Sequence, residues 1–177
     1  MTESDDLRYP IGRFHAPSSD DAATRAAQIE TLRRLPDHLQ AAVRGLNDAQ
    51  LDTPYRPGGW TVRQLVHHIA DSHANSYVRF KLALTEDWPT IKPYDEAAWA
   101  ELSDSRTLPI DVSLALIASL HTRWVSMLES LDDTDFQKGY KHPESGPQNL
   151  ARALAIYDWH SRHHTAHIIN LRSRQNW

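Results

Sequence analysis

Eleven of the 177 residues are histidine, and seven of them fall in two clusters: His67, His68 and His73, then His160, His163, His164 and His167. His160 and His164 are four apart in a segment with helical periodicity, so they share a face one turn apart. On a helical wheel their side also carries Leu150, Ala153, Tyr157, Ile168 and Leu171, which makes it the inward side. Two adjacent buried imidazoles are costly unless their nitrogens find partners. A divalent metal is one such partner, because neutral histidine is its commonest ligand. A hydrogen-bonded core pair is the competing reading, and the spacing alone does not choose between them.

A third ligand has to come from another helix, and the His67-His68 pair offers it. His67 shares its side with Arg63, Asp71, Ala74 and Lys81, which reads as a solvated face. His68 sits with Leu65, Ser72, Asn75 and Arg79 on the flank of an apolar column, so His68 is the preferred ligand. His73 lies inside that column and reads as a satisfied core or pocket-lining histidine. His163 and His167 flank the ligand face and read as supports or rim groups. The stripe Ser72, Asn75, Arg79 is a candidate lining that orients a substrate or anchors an anion, with solvated surface as an equal competitor. Three histidines without a fourth protein ligand match a catalytic site, which keeps a position open, better than a structural one. The chain has no cysteine, which excludes disulfides, thiolate metal sites and a cysteine nucleophile. Imidazole donors suit zinc, nickel, copper or iron.

The elements that must position these groups are helices. Ile29, Leu32, Leu35, Leu39, Val43 and Leu46 recur in steps of three and four, predicting a helix over Asp20–Leu46 in which Pro36 should kink the axis or mark a register change. Thr61 and Gln64 form a capping-box pattern that opens a second helix running to Thr85. Trp88–Thr107 holds Pro89 and Pro93 and reads as an excursion with one helical turn near Glu96–Leu102. A third long helix is predicted over Pro109–Leu131, a turn over Lys138–Pro147 and a last helix over Asn149–Arg174. The first dozen residues read as an extended arm held by Tyr9-Pro10-Ile11. Four amphipathic helices with no alternating strand pattern predict an all-α four-helix bundle with ligands projecting inward.

The length predicts one domain spanning residues 1–177, and 40% hydrophobic with 24% charged residues excludes global disorder. Nineteen basic against 23 acidic residues, a net charge of −4, lack the footprint of a nucleic-acid binder. No window approaches the roughly 18 apolar residues of a membrane span. The acidic start Met1–Asp6 is unlike a signal peptide, so a cytoplasmic protein is expected. Six tryptophans and six tyrosines exceed what one small core readily hides and point to an interface between copies.

These residues also carry a resemblance that spans nearly the whole chain. It rests on Leu7-Arg8-Tyr9-Pro10-Ile11-Gly12, on the run LDTPYRPGGWTVRQLVHHIADSHANSYVRFKLALTE from Leu51 to Glu86, and on Pro93-Tyr94-Asp95-Glu96 with Trp99. It continues through Leu120-His121 with Arg123-Trp124, WHSRHHTAHI from Trp159 to Ile168, and Trp177. The chain resembles the DinB-like superfamily, in its YfiT branch of metal-dependent hydrolases and bacillithiol S-transferases. The resemblance implies a four-helix bundle, often a homodimer, with one zinc or nickel per subunit. It also implies the ligands: a histidine eight residues after the tryptophan that opens the second helix, here His68 after Trp60, and the first and fifth positions of a His-x-x-His-His run, here His160 and His164.

Three functions are then in competition. A hydrolase would use the metal to lower the pKa of bound water to about 7 for attack on a polarised carbonyl. That chemistry wants a proton shuttle, and no carboxylate sits within the ligand motif as it does in His-Glu-x-x-His enzymes. A thiol S-transferase would deprotonate a low-molecular-weight thiol at the open position and needs no general base; an anionic thiol would suit Arg79 or Arg123. A metal-stabilised binding bundle would have a closed coordination sphere and little room beside it.

Overall fold

A computed structural model describes residues 7–177. The acidic start Met1–Asp6, on which the expectation of a cytoplasmic protein partly rests, lies outside the described residues. Four long helices dominate: α1 (Ala22–Val43), α3 (Val62–Thr85), α6 (Asp111–Glu129) and α8 (Leu150–Gln175). Short helices lie between them: α2 (Asp48–Leu51), α4 (Glu96–Ala100), α5 (Ser103–Thr107) and α7 (Asp133–Gln137). The chain is an all-α four-helix bundle, in which α1 and α3 each pack against both α6 and α8 and so stand on a diagonal.

Local chemistry sets the helix ends. Asp21 caps α1 by accepting from the Thr24 amide at 2.8 Å. Thr61 and Gln64 close their capping box in both directions, at 3.1 and 3.0 Å. Asn149 accepts from the Arg152 amide to open α8, and Asn176 ends it in the left-handed conformation at φ 55°. Helix α1 runs unbroken through Pro36, whose missing N–H leaves the carbonyl four residues earlier, on Leu32, without its helical donor.

The segment Lys138–Pro147, expected to be a turn, instead builds an antiparallel hairpin of β1 (Gly139–His142) and β2 (Gly146–Asn149). Four-residue strands are too short to show alternation, and tertiary contacts hold them: Lys141 exchanges main-chain hydrogen bonds with Pro89 and Ile91 across the excursion. Gly139 is required there, because a Cβ would collide with the Gln148 carbonyl.

Apolar packing falls into two clusters. One gathers Leu32, Phe80, Trp124, Leu128, Leu150 and Leu154; the other gathers Leu39, Val62, Leu65, Ile69, Ile117 and Leu171. Along α3 and α8 the residues between the clusters are His73 and His160–His167, and along α6 His121. The histidines therefore form a polar layer between the two apolar clusters.

Candidate metal centre

His68 on α3 and His160 and His164 on α8 meet in this layer, with one nitrogen of each lying within 4.8 Å of the others. Nε2 of His68 stands 3.3 Å from Nε2 of His160. The His160 and His164 rings are 4.3 Å apart at 81°, and the His68 and His164 rings 5.1 Å apart at 79°. His68 packs against the Trp60 ring at 4.6 Å. The site opens on a cavity of about 420 Å³ whose walls include Arg8, Tyr55, Arg56, Trp60, Glu96 and Trp159. Gly58 takes a left-handed φ of 66° in the turn that forms one wall.

Burial keeps these imidazoles neutral. It lowers the pKa of His68 to about 4. Burial, reinforced by the neighbouring imidazoles, pushes His160 and His164 well below their ordinary range. Neutral rings are the form that binds metal. The spacing also suits a metal: two nitrogen arms of about 2.0–2.1 Å at a near-tetrahedral angle put the nitrogens ~3.3–3.4 Å apart. The residues present therefore fit a borderline divalent ion such as zinc or nickel.

Four more histidines surround the three, and one of them, His163, lines the same cavity. His73 Nε2 is 3.1 Å from His160 Nδ1, His73 Nδ1 is 2.9 Å from His121 Nε2, and His121 Nδ1 is 2.6 Å from the Leu32 carbonyl oxygen. His167 Nδ1 is 3.4 Å from His164 Nδ1, and its Nε2 is 3.1 Å from the Arg8 carbonyl oxygen. His163 stacks on Trp159 at 4.2 Å.

The sequence pattern of the DinB superfamily matches residues 31–168. The chain belongs to the DinB superfamily. It is 56% identical to a Bacillus mycoides (strain KBAB4) relative named "Putative metal-dependent hydrolase", over 97% of this chain and 99% of that one. A Bacillus cereus (strain 03BB102) relative of the same name is equally similar, at 56% over the same shares. Among solved structures, the bundle superposes on YfiT from Bacillus subtilis with a TM-score of 0.94 and 50% identity, over 97% of this chain and 99% of that one. YfiT is described as a probable metal-dependent hydrolase with an unusual four-helix bundle topology. The four-helix bundle protein TT2238 shares the fold alone, at a TM-score of 0.57 and 19% identity, over 86% of this chain and 99% of that one.

Other residues of this DinB bundle sit where the sequence did not put them. His67, expected on a solvated face, is buried, with Nδ1 2.7 Å from Ser113 Oγ and Nε2 3.2 Å from the Leu108 carbonyl. Its face is covered by the α5–α6 connection, which a wheel drawn for α3 alone cannot include. Arg63 on the same face is buried as well, bound to Asp48, Asp52 and the Leu108 carbonyl. Of the polar stripe, Asn75 turns back onto the Asp71 carbonyl at 2.9 Å, and buried Ser72 meets the Tyr157 hydroxyl at 3.2 Å. Arg79 lines an adjoining cavity with Tyr94, His142 and Glu144, and Arg123 lies over the Tyr77 ring at 5.6 Å. Neither arginine lines the histidine pocket; Arg8 and Arg56 do. Glu96 lines both cavities, and the protein around its carboxyl raises its pKa even though the residue stays exposed. The signal for Glu96 was present only as one acidic residue in the Pro-Tyr-Asp-Glu segment.

Proposed function

We propose that the chain holds one divalent metal per subunit, zinc foremost and nickel second, on His68, His160 and His164, and hydrolyses a small-molecule substrate admitted through the adjoining pocket. The observation that carries this reading is three neutral imidazoles converging on the wall of an open cavity of about 420 Å³. The names of the bacillary relatives and the description of YfiT support it. When bound, the metal supplies Lewis acidity, which polarises a carbonyl and lowers the pKa of water. The residues around it supply the remainder. The Glu96 carboxylate accepts the proton of the attacking water and returns it to the leaving group, the role that the ligand motif itself leaves vacant. Arg8 and Arg56 face no carboxylate partner among the described residues, and Nε of Arg56 is buried without one, so they suit an anionic group on the substrate. Trp60 and Trp159 give the pocket flat apolar walls.

The same two arginines favour one second reading, S-transfer from an anionic low-molecular-weight thiol. A cavity of this size argues against a closed, non-catalytic bundle. A panel of esters and amides, run with and without added thiol on metal-loaded protein, decides. Metal-dependent hydrolysis without thiol supports the first reading. Conversion only of electrophiles, and only with thiol, replaces it by the second.

We also infer a cytoplasmic homodimer, which the family resemblance supports. The aromatic count no longer does, because Trp99 is the one exposed tryptophan or phenylalanine among the described residues. Light scattering at about twice 20.2 kDa supports the dimer, and 20.2 kDa overturns it. Nucleic acid and membrane are not part of the reading. The net charge is −4, and no described helix is long and apolar enough to cross a membrane.

A further inference from the structure

Two of the proposed ligands end chains of hydrogen bonds that begin at main-chain carbonyls. A carbonyl oxygen only accepts, and a neutral imidazole carries one donor and one acceptor. The Leu32 carbonyl, left without its helical donor by Pro36, must therefore receive the Nδ1–H of His121 at 2.6 Å. His121 then accepts at Nε2 and takes the Nδ1–H of His73 at 2.9 Å. His73 accepts at Nε2 and takes the Nδ1–H of His160 at 3.1 Å. Nε2 of His160 is left with a bare lone pair, and it is the atom 3.3 Å from His68 Nε2.

The second chain reaches the same end by another route. The Arg8 carbonyl receives Nε2–H of His167 at 3.1 Å, so His167 accepts at Nδ1 from His164 Nδ1–H at 3.4 Å. Nε2 of His164 is likewise bare. His73, His121 and His167 are 0%, 1% and 3% exposed, so water does not readily replace a broken link. Both nitrogens of His167 are committed to these two bonds.

We propose that His73, His121 and His167 are positioning residues that lock His160 and His164 in the Nδ1–H tautomer, with Pro36 freeing the carbonyl on which the longer chain hangs, so that both Nε2 lone pairs are aimed before any metal arrives. The inference rests on the reading of His68, His160 and His164 as ligands. Groups that orient a ligand from behind are worth about 10–100-fold in metal affinity.

The test reads tautomers directly. Long-range ¹H–¹⁵N spectra of the metal-free wild-type protein should show Nδ1 protonated and Nε2 unprotonated on His160 and His164. Protonated Nε2 on either ring overturns the proposal, and this measurement requires no variant to fold. Zn²⁺ affinity by competition with a chromophoric chelator then compares His73→Phe with His73→Gln, whose amide oxygen can still accept from His160. His73→Phe should lose about 10–100-fold in affinity and His73→Gln should recover most of it. Wild-type affinity in a folded His73→Phe overturns the proposal. Full Zn²⁺ occupancy in both His68→Ala and His160→Ala would instead overturn the ligand reading beneath it, whatever the tautomers show.

Discussion

Replacing the adjacent histidines of α3 one at a time should separate a metal ligand from a structural group. His68→Ala removes one of three converging imidazoles, and metal content after gel filtration should fall close to zero while the bundle keeps its helical spectrum. His67→Ala should do the reverse. Its ring is 5% exposed and bonds Ser113 Oγ at 2.7 Å and the Leu108 carbonyl at 3.2 Å. The carbonyl keeps Arg63 as a donor at 3.1 Å, so the stranded group is the Ser113 hydroxyl, at about 1–3 kcal/mol. The void left by the ring adds a cavity cost, bringing the total to about 3 kcal/mol. In a chain of 177 residues that lowers the melting temperature by about 6–12 °C. Metal analysis and thermal denaturation of the two variants check this together. Full metal content in His68→Ala with loss in His67→Ala would refute the assignment of the pair, and an unchanged melting temperature in His67→Ala would refute the structural role argued for it.

Three further outcomes are expected. Metal-free protein should lose stability as pH falls from about 6.5 to about 4, because His121, buried and lowered to about 4, stays neutral in the fold while its unfolded counterpart takes up a proton; this one group is worth about 3 kcal/mol, and a denaturation midpoint that holds or rises on acidification would contradict it. Glu96→Gln should cut the hydrolytic kcat by about 10²–10⁴-fold while leaving metal content unchanged, and wild-type kcat would remove Glu96 from the proton transfer. Arg8→Ala and Arg56→Ala should raise KM for anionic substrates and not for neutral ones, so equal effects on both classes would show that the arginines do not bind the charge.

The sequence carried a good deal of this, and what it carried was local. The His160–His164 spacing, the Thr61–Gln64 capping box and the apolar columns of the four long helices are set by a period of 3.6 residues, which any stretch of chain expresses alone. The inward side of α8 was legible for the same reason, and the family pattern agreed with it. What tertiary structure decided was every relation between elements. His67 looked solvated because a wheel contains one helix and not the connection folded over it. His121 looked scattered because its partners lie 48 and 89 positions away, on α3 and α1. Pro36 read as a kink or register change, and only the fold brings the carbonyl it frees against a histidine on another helix. Arg8, Arg56 and Glu96 come from three separate stretches of the chain, and only their convergence on one cavity gives them a common role. A hydrogen bond between helices depends on distances of a few tenths of an ångström, and periodicity records which side a residue faces, not what stands opposite it.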